Sequence, residues 1–267
     1  MQRKGRKHRL EAFLRDTDPK HLRCGILIAV CAVFVIVFML TMNSEPQLLS
    51  SEEIVAVKER GVLTVGVLDD GDSMEHQLGI LLADKILPEL SNGSGAGFFT
   101  VTSTSVSAHI SDDSIDVAIA LMRKGEDPTL AYSEPYYTDT INLAVRNGDK
   151  NKSLAGKTIG YVFEGKKMNV PEEFEQYAKK NNAQLKAYAG YPDMLGALLS
   201  AKIDAAVMYG VYAEKYASKY AFELSPTILG YAEYAIAAAA DKPAFVEIAN
   251  IMLKELKENG ELYSMLP

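Results

Sequence analysis

Cysteine is nearly absent from this chain: of 267 residues only Cys24 and Cys31 carry a thiol. Both fall in one apolar run, and seven residues along a helix separate them by about 10 Å, too far for a disulfide. Everything beyond residue 43 therefore has to hold itself together by its hydrophobic core. Histidine is also scarce, and only His76 and His109 lie in that later part, too few without cysteine for an ordinary zinc site. No Gly-x-Ser-x-Gly elbow is present, which argues against a hydrolase of that type. Basic charge is thin beyond the first 23 residues, which hold eight Lys or Arg against three acids. Removing that +5 from the formal −7 leaves −12 on the remainder. Such an acidic surface disfavours nucleic acid or anionic lipid as a partner and favours solubility outside the cell.

What is present starts with a long greasy run. Cys24 to Met42 is nineteen residues without a charge, and a helix of that length spans about 28 Å, close to the ~30 Å hydrocarbon thickness of a bilayer. The bases precede the run while Glu45, Glu52 and Glu53 follow it. The positive-inside rule then predicts a cytoplasmic N-terminus (residues 1–23), a single transmembrane helix (24–42) and an extracytoplasmic remainder at the cell membrane. A cleaved signal peptide is the competing reading. The run exceeds the usual apolar length of such peptides, and no small-x-small site follows it, which favours an uncleaved anchor. A lipoprotein reading would need Cys31 to end its apolar run after a small residue, yet Val30 precedes it and apolar residues follow.

Beyond a polar spacer at 43–54, strands and helices alternate. VLTVGVL (62–68) predicts a buried strand, HQLGILLADKIL (76–87) a helix, FFTVTST (98–104) and IDVAIAL (115–121) two strands, and TINLAVR (140–146) another. SNGSGAG (91–97) reads as a flexible loop. A second set follows NGDKNKS: TIGYVF strand, PEEFEQYAKKNN helix, QLKAYA strand, PDMLGALLSAK helix and IDAAVMY strand. Pro171 with Glu172 and Glu173 is a favourable helix start. YAEYAIAAAA (231–240) predicts a strand, and residues 243–260 a long helix closed by Gly260. Such alternation implies parallel sheets covered by helices, and about 220 residues suit two lobes better than one.

Several segments stand in a familiar order: KERGVLTVGV (58–67), IDVAIALM (115–122), YSEPYYTD (132–139), LAGKTIGYVFEG (154–165), LGALLSAKIDAAVM (195–208) and NIMLKELKENGEL (250–262). In these the chain resembles the family 3 extracellular solute-binding proteins that serve amino-acid ABC importers. The resemblance implies an α/β clamshell of the type II periplasmic-binding-protein fold, with lobe 1 at 55–142 and 236–267 and lobe 2 at 143–235. It also implies a small polar solute, amino-acid-like, peptide-like or an organic acid, held in the cleft, and an ABC transporter permease as partner. Neither a cofactor nor catalysis is expected. Ligands of open α/β sheets lie beyond the carboxyl ends of strands, so the loops after Leu68, Leu121, Phe163 and Met208 are expected to line the cleft.

Those loops depart from the family pattern. The position of its Thr holds Arg123, and that of the Arg that clamps a carboxylate three residues later holds Glu126. Tyr209 stands where an Asp usually takes the ligand ammonium, and DDGDSM (69–74) replaces an aromatic platform. The candidate ligand-binding residues are accordingly Asp69, Asp70, Met74, Leu121, Arg123, Glu126, Tyr136, Gly165, Lys166 and Tyr209. Arg123 and Lys166 with Tyr209 suit an anionic or peptide-like solute. The competing structural readings are a solvated Arg123 paired with Glu126 or Asp127, turn-forming acids at 69 and 70, and packing roles for Tyr136 and Tyr137. A cleft that has lost its solute and become a sensor or interaction module is one alternative function. A dehydratase using Asp69, Asp70 and Glu126 as acids or bases is another. GYVFEGKK (160–167) nearly spells a phosphate-binding loop, but Lys167 replaces the required hydroxyl and its middle residues read as strand. The glycines at 93–97 lack the strand, glycine and helix order of a dinucleotide site.

Overall fold

The structure is a computed structural model that describes residues 47–68, 73–90, 93–102, 105–163 and 172–265. The chain divides into two units, Met1–Ser50 and Ser51–Pro267, and of the first only residues 47–50 are described. Among the described residues no helix is long and apolar enough to cross a membrane. The segment 24–42, expected to do so, lies outside them.

The second unit opens with α1 (Glu52–Arg60), whose first turn holds Glu52 and Glu53 and whose last holds Lys58 and Arg60, charges that complement the helix dipole. Gly61, at φ 71°, ends it in the left-handed conformation that glycine adopts without strain. Then come β1 (Leu63–Val67), α2 (Met74–Ile86), β2 (Ala96–Thr100), α3 (Val106–Ser111), β3 (Val117–Arg123), β4 (Leu130–Tyr132) and β5 (Tyr137–Arg146). Next are β6 (Thr158–Val162), α4 (Glu172–Lys180), β7 (Gln184–Tyr188), α5 (Tyr191–Leu199), β8 (Ala205–Tyr209) and α6 (Gly210–Ala217). The chain returns through β9 (Phe222–Ala239), α7 (Pro243–Glu258) and α8 (Glu261–Met265).

One sheet runs through the unit in the order β2-β1-β3-β9-β5-β8-β6-β7, with β4 also paired to β9. The pairs β1–β2, β1–β3, β6–β7 and β6–β8 are parallel, as the alternating pattern predicts. The two parallel parts are joined by antiparallel pairing of β5 and β9 with each other and with their neighbours, so the fold is mixed rather than purely parallel. It has two lobes. One is built on β1, β2, β3, β4 and the end of β9, the other on β5 to β8 and the start of β9.

The sequence predicts β9 only from 231, whereas it begins at Phe222. Pro226 and Gly230 hide its first half from any pattern of alternation. The sheet tolerates Pro226 because pairing jumps from Asn142↔Ile228 to Ala144↔Leu224, a bulge that leaves the proline outside the ladder.

The lobes repeat one device. Thr64 N–H donates to Asp116 Oδ2 at 2.8 Å and Asp116 N–H donates back to Thr64 O at 2.9 Å. In the other lobe Thr158 N–H donates to Asp204 Oδ2 at 3.0 Å and Asp204 N–H to Thr158 O at 2.8 Å. Two residues after each threonine a glycine lets the next strand close: a Cβ at Gly66 would lie 2.6 Å from Ile115 Cδ1, and one at Gly160 2.6 Å from Ile203 Cδ1. Each lobe then has its own core. In the first, α2 and α7 bury Leu78, Leu82, Ile86, Phe245, Ile248 and Met252. In the second, Met194, Leu195 and Leu198 of α5 pack with Ile203 and Met208. Burial of such side chains contributes about 1.5–3 kcal/mol each.

Candidate functional site

The carboxyl ends of β3 and β8 meet near the crossing strands, as the rule for open α/β sheets anticipates. β3 does not run straight to its end. Its register on β9 shifts between Ala118 and Met122, and Leu121 sits at φ 51°, a left-handed conformation that costs a non-glycine residue about 1–2 kcal/mol. Tyr136 holds this bulge. Its side chain is buried, and its hydroxyl accepts the Leu121 N–H at 3.3 Å. Burial pushes its phenol well above the ordinary range, so the group stays neutral. The candidate ligand contact at Tyr136 is thus placed behind the site, as a support.

The bulge turns Arg123 toward the other lobe. Arg123 Nη1 donates to Tyr209 Oη at 2.9 Å, and its guanidinium carbon stands 5.8 Å from the Tyr209 ring centre. Glu126 closes the other side: Arg123 Nη2 lies 3.4 Å from Glu126 Oε1, and the Arg123 N–H donates to Oε2 at 3.2 Å. Burial works against the arginine's charge, but Tyr209 and Glu126 outweigh it and raise its pKa. Arg123, Glu126 and Tyr209, separate in sequence, are therefore one cluster. Glu126, Lys124 and Gly125 also line a pocket of about 410 Å³ with Tyr231 and Glu233 of β9, and the Tyr231 ring is exposed beside it.

Sequence reasoning gave no role to Asp139, a buried acid on crossing strand β5. Its carboxylate accepts the N–H groups of Thr140 at 2.8 Å and of Val211 at 3.1 Å, so it ties the start of α6 to the crossing strands. Burial lifts its pKa above 3.8, while the amides of Val211, Thr140 and Gly210 pull it back. Gly210 is required there, because a Cβ would run into Asp139 Oδ1. Tyr234, stacked on Tyr137 at 6.2 Å, has a phenol raised strongly by burial. No local pattern marks Asp139, because its strand reads YTDTINLAVR and carries other polar residues around it.

Met74 opens α2 and is half-buried. Nearby, Ser73 Oγ lies 3.1 Å from His76 Nδ1, and the imidazole packs on Phe98 at 4.3 Å, contacts that anchor the helix start. Asp69, Asp70, Gly165 and Lys166, with the loops after Leu68 and Phe163, lie outside the described residues. Among the described residues no group of three or more His, Cys, Asp or Glu is arranged to hold a metal ion.

No family model matches the chain. Solved structures do. A variant of ArgBP from T. maritima superposes with a TM-score of 0.60 at 21% identity, over 80% of this chain and 96% of that one. An amino acid ABC transporter substrate-binding protein from Streptococcus pneumoniae bound to L-arginine gives 0.62 at 19%, over 80% and 96%. A solute receptor for L-cysteine of Neisseria gonorrhoeae gives 0.60 at 15%, over 79% and 91%. Together with the crossing strands and the paired lobes, this likeness shows that the chain has the two-lobe α/β fold of the amino-acid ABC transporter substrate-binding proteins.

Proposed function

We propose that this protein is a membrane-anchored extracytoplasmic receptor that captures a small polar, amino-acid-like solute between its lobes, for an ABC importer. One observation carries the reading: Arg123 of one lobe and Tyr209 of the other converge at 2.9 Å, where strand ends of both lobes meet. Two lobes joined by crossing strands can close on a guest and bury most of it. The neighbours of like fold include proteins bound to L-arginine and a receptor for L-cysteine. With an arginine where the family has its threonine and a glutamate where it has its arginine, the favoured solute carries an anionic group that Arg123 can take, with its polar or cationic part beside the ring of Tyr231 and the carboxylates of Glu126 and Glu233. Asp69, Asp70, Gly165 and Lys166 complete the proposed lining from the flanking loops. The nineteen apolar residues at 24–42 supply the anchor, with residues 1–23 in the cytoplasm.

Thermal-shift screening of the full chain in detergent against amino acids, short peptides, polyamines and organic acids tests this. A true solute at a hundredfold excess over its dissociation constant stabilises by about 2.7 kcal/mol. A panel in which no compound moves the transition overturns the reading. One neighbour is an ancestral amino-acid-binding protein described as a precursor of cyclohexadienyl dehydratase. That observation favours a second reading, a dehydratase, which predicts consumption of a cyclic acid rather than its equilibrium binding.

A further inference from the structure

We propose that Arg123 and Tyr209 form a latch that holds the two lobes together without a solute between them, so that the receptor rests shut and solute capture begins by breaking this bond. The inference rests on the reading that the cleft between the lobes is the solute site.

A nitrogen and an oxygen 2.9 Å apart leave no space for another group between them. Both ends of the bond are rigidly mounted. Arg123 is held in register opposite Tyr234, its own N–H is tied to Glu126, and the next residue, Lys124, donates its N–H to Glu233 O at 2.9 Å. Tyr209 is paired with Ile141 in the sheet, and α6 starts at the next residue under the Asp139 carboxylate. The contact therefore reports the position of whole lobes and not of two mobile side chains. Its chemistry suits a latch: a cationic donor on a phenol oxygen, largely out of water, is stronger than a neutral bond yet weaker than a buried ion pair. It also uses two of the positions where the chain departs from the family pattern, so a solute must compete for Arg123 with a group from the protein itself. The apparent affinity of such a receptor is the intrinsic affinity reduced by the fraction of molecules with the latch open.

The test is a spin-label distance measurement on the full chain in detergent. Cys24→Ser and Cys31→Ser remove the native thiols, and Lys180→Cys on α4 and Glu247→Cys on α7 report the separation of the lobes. Mass spectrometry first establishes that no small molecule accompanies the protein. The expected result is a single short distance in the parent, and a second, longer one in Tyr209→Phe with the open-to-shut ratio raised roughly tenfold. Arg123→Met is expected to open to the same extent, and the double variant no further, because one bond is lost in all three. Tyr263→Phe, which removes the hydroxyl of an exposed tyrosine on α8 and leaves the latch in place, is expected to stay shut. A parent that is already broadly distributed, or a Tyr209→Phe distribution identical to it, overturns the latch. Because this measurement needs no solute, it stands apart from the screen above: an opened Tyr209→Phe with a silent panel keeps the latch and sinks the solute reading, and the reverse pair of results does the opposite.

Discussion

Replacing Tyr136 by Phe removes one oxygen and leaves the ring, and the consequence can be worked from the structure. The hydroxyl accepts the Leu121 N–H at 3.3 Å from a buried position, and Leu121 occupies a left-handed conformation at φ 51°. The bond itself is worth about 0.5–1.5 kcal/mol, and a buried amide left without an acceptor adds a penalty of similar size, so the expected loss is about 1–2 kcal/mol. For a domain of this length that is a fall in Tm of about 3–6 °C. Differential scanning calorimetry or urea titration measures it. Coupling is the sharper part. In a Leu121→Gly background the bulge is no longer strained and its amide can turn toward water, so Tyr136→Phe is expected to cost less than half as much. Equal losses in both backgrounds, or a loss below about 0.3 kcal/mol in the parent, would show that Tyr136 merely fills space and does not hold the bulge that aims Arg123.

Asp139 makes stability depend on pH in an unusual direction. Its folded pKa lies above 3.8 because burial disfavours the charge, so its contribution is complete below that value and is lost as pH rises through the folded pKa. Subtracting an Asp139→Asn variant, which does not titrate there, isolates the effect. The difference in Tm should shift across that window, and a constant difference from pH 3 to 7 would refute the assignment. Gly66→Ala and Gly160→Ala each bring a Cβ within 2.6 Å of an isoleucine methyl, so each should cost about 1–3 kcal/mol by chemical denaturation. Ile115→Val or Ile203→Val, which shortens the opposing side chain, should recover part of the matching loss, and failure of both rescues would disprove the shared device. Arg146 donates to Leu198 O at 3.0 Å and Ile203 O at 2.7 Å. Arg146→Met should cost about 1–3 kcal/mol, and a cost under 0.5 kcal/mol would mean that water replaces it.

The motif order made two α/β lobes and their parallel strand pairs legible in the sequence. Short runs of Val, Ile and Leu between polar turns favour buried strands, and the landmarks, so far as their residues are described, fall on such strands and their following helices. Less legible was the connection between the lobes. The first half of β9 carries Pro226, Gly230 and exposed Leu224 and Ile228, so no local pattern marks it, and its partner β5 decides that it is a strand. The site was partly legible. Arg123, Glu126 and Tyr209 stood out as departures at positions where the resemblance placed other residues, but nothing local said that they touch.

Composition and periodicity alone determined an α/β chain with an acidic main part, cysteine at two positions only and one long uncharged run, because these depend on residue type and spacing. Only tertiary structure decided that Arg123 meets a tyrosine 86 positions away, that Tyr136 supports a bulge instead of facing the cleft, and that Asp139 fastens α6 to the crossing strands. Each of these rests on contacts between strands far apart in the chain, and such contacts are set by how the sheet closes.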